Sequence, residues 1–129
     1  MITIDTNVLV RLLTGDHPVQ SRASRALFAS EDIFIPDTVW LETEWVLRAA
    51  YDLSRDDIGH AFKQVCGLPN VRVNDARRLA QIIDWHLLGF DFADAFHLAT
   101  SQPASTFKTF DARFIKNAKR HTARQVERA

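Results

Sequence analysis

Short strand-like segments alternate with longer helical segments along this chain, and this alternation restricts the fold more than any other feature. The strand candidates are residues 2–4, 33–35, 71–73 and 106–110. Between them, apolar residues recur at helical spacing, and turn or capping residues separate the segments. Strands that alternate with helices require crossover connections, which produce a parallel sheet covered by helices. The sequence therefore predicts an α/β protein.

Length and composition are those of one ordinary globular domain. The chain has 129 residues, of which 47% are hydrophobic and 25% charged, so we expect a single domain over residues 1–129. The only cysteine, Cys66, excludes an intrachain disulfide, and we expect it to be a core or near-core residue. The sequence shows no signal-peptide pattern and no apolar run of roughly 18 residues, so we expect a cytoplasmic protein without membrane contact.

Charge is balanced overall but uneven along the chain. Sixteen basic residues face sixteen acidic ones, which argues against binding of nucleic acid by a general positive field. Residues 116–129 carry five basic residues and one acid. This tail could contact RNA or bind a protein partner, but the preferred expectation is a flexible, solvated end. Residues 123–126 are a poor strand candidate, so the sequence does not decide which strand forms that edge of the sheet.

Four acidic residues follow the predicted strands. Asp5 comes directly after the first strand and Asp111 after the fourth, Glu42 lies one turn into the helix after the second, and Asp94 opens a later helix. In open parallel sheets, functional groups gather beyond the carboxyl ends of the strands. Each acid alone is also explained as a helix cap, a first-turn acid or a solvated residue. Asp94 and Glu42 lie in apolar segments, where an acid needs a partner or a metal.

Four carboxylates that meet would raise one another's pKa unless a cation lay between them. Mg²⁺ or Mn²⁺ accepts carboxylate oxygens, retains several waters and suits a site without cysteine or paired histidines. Such an ion activates a water for attack on a phosphodiester. If the acids converge, the sequence predicts metal-dependent hydrolysis of a phosphodiester.

Four segments, in order and spacing, resemble the PIN-domain family, and most closely the VapC toxins of bacterial toxin–antitoxin pairs. The segments are residues 4–9 (IDTNVL), 41–47 (LETEWVL), 91–95 (DFADA) and 109–111 (TFD). The resemblance runs from the first strand to about Phe114. It implies a three-layer α/β/α sandwich with a short, mostly parallel central sheet of four or five strands.

The resemblance also implies an activity, a cofactor and partners. The activity is that of an endoribonuclease dependent on Mg²⁺ or Mn²⁺. The protein is expected to be a homodimer inhibited by a cognate VapB-like antitoxin, and to meet DNA only through that antitoxin. Catalysis and metal coordination would fall to Asp5, Glu42, Asp94 and Asp111.

Further residues receive supporting roles from the same resemblance. Thr6 and Asn7 would support the first acid, and Thr109 would form a hydrogen bond near the fourth. Asp91 is either a supporting acid or a helix cap, and the cap is preferred. Glu44 competes with Glu42, but the family places its acid three residues before the tryptophan, which selects Glu42.

Other hypotheses stay open. His97 could orient a carboxylate or contact substrate, although an ordinary core or surface histidine is preferred. The helix that contains Trp40 and Trp45 has more large apolar side chains than one buried face requires. This suggests a dimer or antitoxin surface, with core packing as the simpler explanation.

Three other functions compete with the nuclease. A haloacid-dehalogenase-like phosphatase would need an acid at the position of Asn7, and a response-regulator receiver would need a second acid beside Asp5. A non-catalytic PIN-like binding module is the main alternative, against which the presence of all four acids argues.

Overall fold

Helices and short parallel strands alternate through the whole chain. The computed structural model describes residues Met1–Ala129 and separates into two units, Met1–Ala76 and Arg77–Ala129. It contains seven helices and five strands, and every strand pairing is parallel. The predicted α/β class is confirmed, and these elements are consistent with the expected PIN-like three-layer fold. The single domain over residues 1–129 stays a prediction.

The first unit contains a three-stranded sheet. The sheet order is β1-β2-β3, with Ile33 in register with Ile2 on one side and with Val71 on the other. Both Ile33 and Ile35 of the central strand are fully buried, as a strand covered on both faces requires. The elements are β1 (Ile2–Thr3), α1 (Thr6–Thr14), α2 (Pro18–Ser30), β2 (Ile33–Ile35), α3 (Asp37–Ala49), α4 (Arg55–Cys66) and β3 (Val71–Val73).

Local sequence signals explain where these helices begin and end. Gly15 ends α1 with a φ of 64°, in the left-handed region that a glycine adopts without strain. Ser54 accepts a hydrogen bond from the backbone of Asp57 and so caps α4 as its sequence predicts. Helix α3 has no side-chain cap, although Asp37 at its start is a residue type that favours helix caps. The helix begins at Asp37, and Pro36 holds the cap position because its fixed φ is compatible with a helix start.

The second unit is built around aromatic packing. Phe114 contacts Phe107 and Phe90 edge to face, at ring centroid distances of 5.2 and 6.2 Å. Phe90 also stacks on Trp85 at 5.6 Å, so one aromatic cluster joins three helical or loop segments to β4. The elements are α5 (Ala76–Leu88, whose first residue ends the first unit), α6 (Phe92–Thr100), β4 (Thr106–Thr109), α7 (Ala112–His121) and β5 (Gln125–Arg128).

The basic tail contains the end of α7 and a last strand, while its flexibility in solution stays a prediction. Residues 125–128 form β5, parallel to β4, so the weak strand candidate at 123–126 overlaps a strand that begins two residues later. Its strand propensity is poor, and tertiary contacts hold it instead. The Arg124 guanidinium donates to the carbonyls of Leu98 and Ser101, and Lys108 pairs with Glu127 across the two strands.

Two further findings concern composition. Cys66, the last residue of α4, is exposed, so it is not a core residue, although partial burial raises the pKa of its thiol to about 11. Among the seven helices there is none with the length and apolarity needed to cross a bilayer.

Candidate active-site carboxylates

Asp5 connects the first strand to the first helix. Its backbone is extended, and its Oδ1 accepts a hydrogen bond from the Val8 N–H at 3.2 Å. This bond caps α1 and fixes the carboxylate at the carboxyl end of β1 while the residue stays exposed. Thr6 is buried behind it, and Asn7 is exposed on the first turn.

Glu42 and Glu44 lie on α3 in opposite environments. Glu42 is exposed on the same side of the helix as the exposed Trp45, as the alternative of a solvated helix face allows. Glu44 is buried, and its carboxylate accepts two hydrogen bonds from Arg48, at 2.9 and 3.3 Å. A buried glutamate with its own arginine is already satisfied, whereas Glu42 is accessible to a ligand.

Asp94 lies in the first turn of α6 and is half-buried. Asp91 caps this helix by accepting the Asp94 N–H on its Oδ2 at 3.1 Å, which confirms the cap that the sequence favoured. The apolar segment around Asp94 is buried on both sides of it, at Phe92, Ala95 and Phe96. Asp94 therefore lies among buried apolar neighbours, and the partner or metal expected for it stays a prediction.

The electrostatic environment of Asp94 opposes its negative charge. Burial raises the pKa of the Asp94 carboxyl, and the negative charges of Asp91 and Asp111 raise it further. The neighbouring His97, which is exposed, acts in the opposite direction. Asp94 is thus a carboxylate with more negative than positive neighbours.

Asp111 follows β4 and caps α7. Its Oδ1 accepts the Phe114 N–H at 3.1 Å, and its own N–H donates to the Thr109 hydroxyl at 3.1 Å. Thr109 therefore does form the hydrogen bond expected beside the fourth acid, as the acceptor, although its role in activity stays a prediction. Two bonds, one on each side of the residue, fix an exposed carboxylate at the end of the strand.

The structure groups the predicted acids by unit. In the first unit, Asp5 and the helix of Glu42 follow β1 and β2, which are parallel neighbours and end at one edge of the sheet. In the second, the negative charge of Asp111 contributes to the raised pKa of Asp94. No group of three or more histidine, cysteine, aspartate or glutamate side chains is arranged to hold a metal ion. The convergence of all four acids stays a prediction.

One exposed residue beside this site escaped the sequence analysis. Phe110, between Thr109 and Asp111, is 74% exposed. The signal that could have found it is an aromatic residue placed after the last paired strand position and directly before a capping acid.

Comparison with known families agrees with this arrangement. The family model of the PIN domain matches residues 2–120. The chain belongs to the PIN-domain family, whose members are generally nucleases and generally use divalent metals. No characterised protein and no solved structure matches the chain.

Proposed function

We propose that this PIN domain is an endoribonuclease dependent on Mg²⁺ or Mn²⁺ and acts as the toxin of a VapBC-type pair. The observation that carries the proposal is the PIN match over residues 2–120, because it spans all four predicted acids. We assign catalysis and metal binding to Asp5, Glu42, Asp94 and Asp111.

The donor chemistry fits a hard divalent cation. The candidate ligands are all carboxylates, and three of the four, Asp5, Glu42 and Asp111, are exposed. The repulsion at Asp94 supports the proposal, since a cation would reverse the effect of Asp91 and Asp111 on that carboxylate. When bound, the ion would lower the pKa of the attacking water and stabilise charge on the phosphoryl oxygens.

The remaining residues position these carboxylates. Asp91 holds the first peptide groups of α6 and so sets the position of Asp94. Thr109 does the same for Asp111 through the backbone N–H. We assign a similar supporting role to Thr6 and Asn7 at the start of α1, because both follow Asp5 directly on the capped turn.

The partner proposals rest on the surface of α3. Trp45 is 59% exposed, although Trp40 and Leu47 of the same helix are fully buried. An exposed tryptophan is costly in water and is common in protein interfaces. We propose that this surface contributes to a homodimer or binds a VapB-like antitoxin, with DNA contacted only through that antitoxin. The toxin role places the protein in the cytoplasm, where its RNA substrates are.

The first experiment measures cleavage of a pool of structured RNAs by the purified protein with Mg²⁺, with Mn²⁺ and with EDTA. Asp94→Asn and Asp5→Asn should abolish cleavage, while Glu44→Gln serves as a matched acid-to-amide control and should retain it. Induced expression should also arrest growth with the wild type and not with Asp94→Asn.

The same experiment distinguishes the non-catalytic alternative. A folded protein that binds RNA or a partner but cuts no RNA with either metal would be a PIN-like binding module. Cleavage that survives both Asp5→Asn and Asp94→Asn would show that other residues, or a contaminant, perform the reaction.

A further inference from the structure

We propose that Phe110 is a base-stacking residue that holds a single-stranded RNA substrate next to Asp111. This inference rests on the proposed ribonuclease function and adds a residue that positions its substrate. The ligand is an unpaired nucleotide whose base lies against the ring, while the adjacent phosphate faces basic side chains.

The Phe110 ring is exposed, while hydrogen bonds hold the backbone next to it. Phe110 keeps 74% of its surface accessible, although Phe107 of the same segment packs on Phe114. The hydrogen bond from Asp111 to the Thr109 hydroxyl closes the turn around Phe110. The Ala129 N–H also donates to the Thr109 carbonyl at 2.9 Å. A preorganised aromatic ring loses little freedom when a base stacks on it.

A cation already lies over this ring. The Cζ atom of Arg128 is 6.0 Å from the Phe110 ring centroid, a cation–π distance. Arg128 comes from β5, in register with Thr109. An aromatic face accompanied by a guanidinium is a pair that single-stranded nucleic-acid sites use for bases and phosphates.

Exposed basic side chains follow Phe110 in the chain, on α7. Arg113, Lys116 and Arg120 are spaced by three and four residues, which places them on one face of the helix, and all three are exposed. This helix begins directly after Asp111. A polyanion is therefore the complementary occupant for the surface that starts at Phe110.

The immediate surroundings favour RNA over a protein partner. The chain neighbours of Phe110 are the polar Thr109 and Asp111, and its ring partner is the charged Arg128. The core of a protein interface is depleted in charged residues, whereas a stacking platform for single-stranded nucleic acid is a lone aromatic in a basic groove.

The test measures binding of a fluorescent single-stranded RNA of about 12 nucleotides to the full protein in EDTA. Phe110→Ala should weaken binding by roughly 5- to 150-fold, and Phe110→Trp should preserve it. Leu88→Ala removes another exposed apolar side chain of the same unit and should change binding by no more than about twofold. Thermal unfolding of each variant establishes that it is folded.

A series of RNAs with one abasic nucleotide at successive positions makes the test specific for stacking. The wild type should lose affinity at one position, and Phe110→Ala should be insensitive to base removal there. Equal binding by the wild type and Phe110→Ala, no position-dependent effect, or no RNA binding by the wild type would each overturn the inference. A change in sedimentation with unchanged RNA binding would make Phe110 a protein contact and would also overturn it.

Parallel cleavage assays separate this inference from the proposed function. Metal-dependent cutting with normal RNA binding by Phe110→Ala refutes only the stacking role. Phe110-dependent binding without any cutting refutes only the nuclease.

Discussion

Asp16 and Asp94 lie in two clusters of polar residues that shift the pKa of their carboxyl groups in opposite directions. In the first unit, Asp16 accepts hydrogen bonds from Tyr51 at 2.6 Å, Thr14 at 2.8 Å and Arg11 at 3.0 Å. These donors, Tyr51 foremost, lower the pKa of Asp16. In the second unit, burial and two neighbouring carboxylates raise the pKa of Asp94.

The opposite pKa shifts of Asp16 and Asp94 distinguish a carboxylate that is stabilised within the fold from one that a bound cation would stabilise. Around Asp16 the protein supplies every donor the carboxylate needs, so this acid joins the end of α1 to the segment after α3. Around Asp94 the protein supplies further negative charge, which costs stability and is explained if the site binds a cation. The comparison agrees with a structural role for Asp16 and with the functional role that we propose for Asp94.

The largest expected effect is on activity, and it tests this assignment directly. Asp94→Asn should lower ribonuclease activity by at least about 100-fold, because loss of a ligand should cost more than loss of a residue that supports one. Asp16→Asn, the matched substitution, should leave kcat/KM nearly unchanged in the folded protein. Comparable losses in the two variants would remove the distinction between the clusters.

A second prediction applies the same contrast to one helix. Glu42→Gln should lower activity by at least about tenfold with little change in stability, since Glu42 is exposed. Glu44→Gln should keep its activity and lose roughly 1 kcal/mol of unfolding free energy, because its bonds to Arg48 weaken and Arg48 is half-exposed. Urea denaturation and RNA cleavage measure both. The opposite pattern would make Glu44 the catalytic acid.

A third prediction concerns pH. The pKa of Asp16 is lowered from 3.8, so its stabilisation is present above that pH and is lost as the pH falls through the folded-state value. The pKa of Asp94 is raised from 3.8 in the folded protein. Ionisation of Asp94 therefore does not lower the free energy of unfolding below that pH, and it lowers it in full above the folded-state pKa.

Melting curves from about pH 3 to about pH 7 measure these opposite slopes. In metal-free buffer near neutral pH, Asp16→Asn should melt below the wild type and Asp94→Asn above it. Both differences should shrink as the solution is acidified. A lower Tm for Asp94→Asn near neutral pH would contradict the raised pKa.

The sequence predicted much of this because its signals are local. Strand segments, Gly15 and the caps at Asp5, Asp91 and Asp111 follow from short-range propensity and hydrogen bonding. Exposure depends on which helix face meets the core, so the sequence left the exposure of Glu42 undecided and placed Cys66 too close to the core. Strand β5 was missed as a firm element because contacts from distant residues hold it, as Arg124 does with Leu98.

The smallest expected effect tests whether the hydrogen bond beside Asp111 positions that carboxylate. Thr109→Val keeps the branched shape suited to β4 but removes the hydroxyl that accepts the Asp111 N–H. It should cost about 0.5 to 1.5 kcal/mol of stability and lower kcat by less than Asp111→Asn does. Thr109→Ser retains the oxygen and should restore both quantities. If Thr109→Ser instead behaves like Thr109→Val, the methyl group matters rather than the hydrogen bond, and Asp111 is held by its cap on α7 alone.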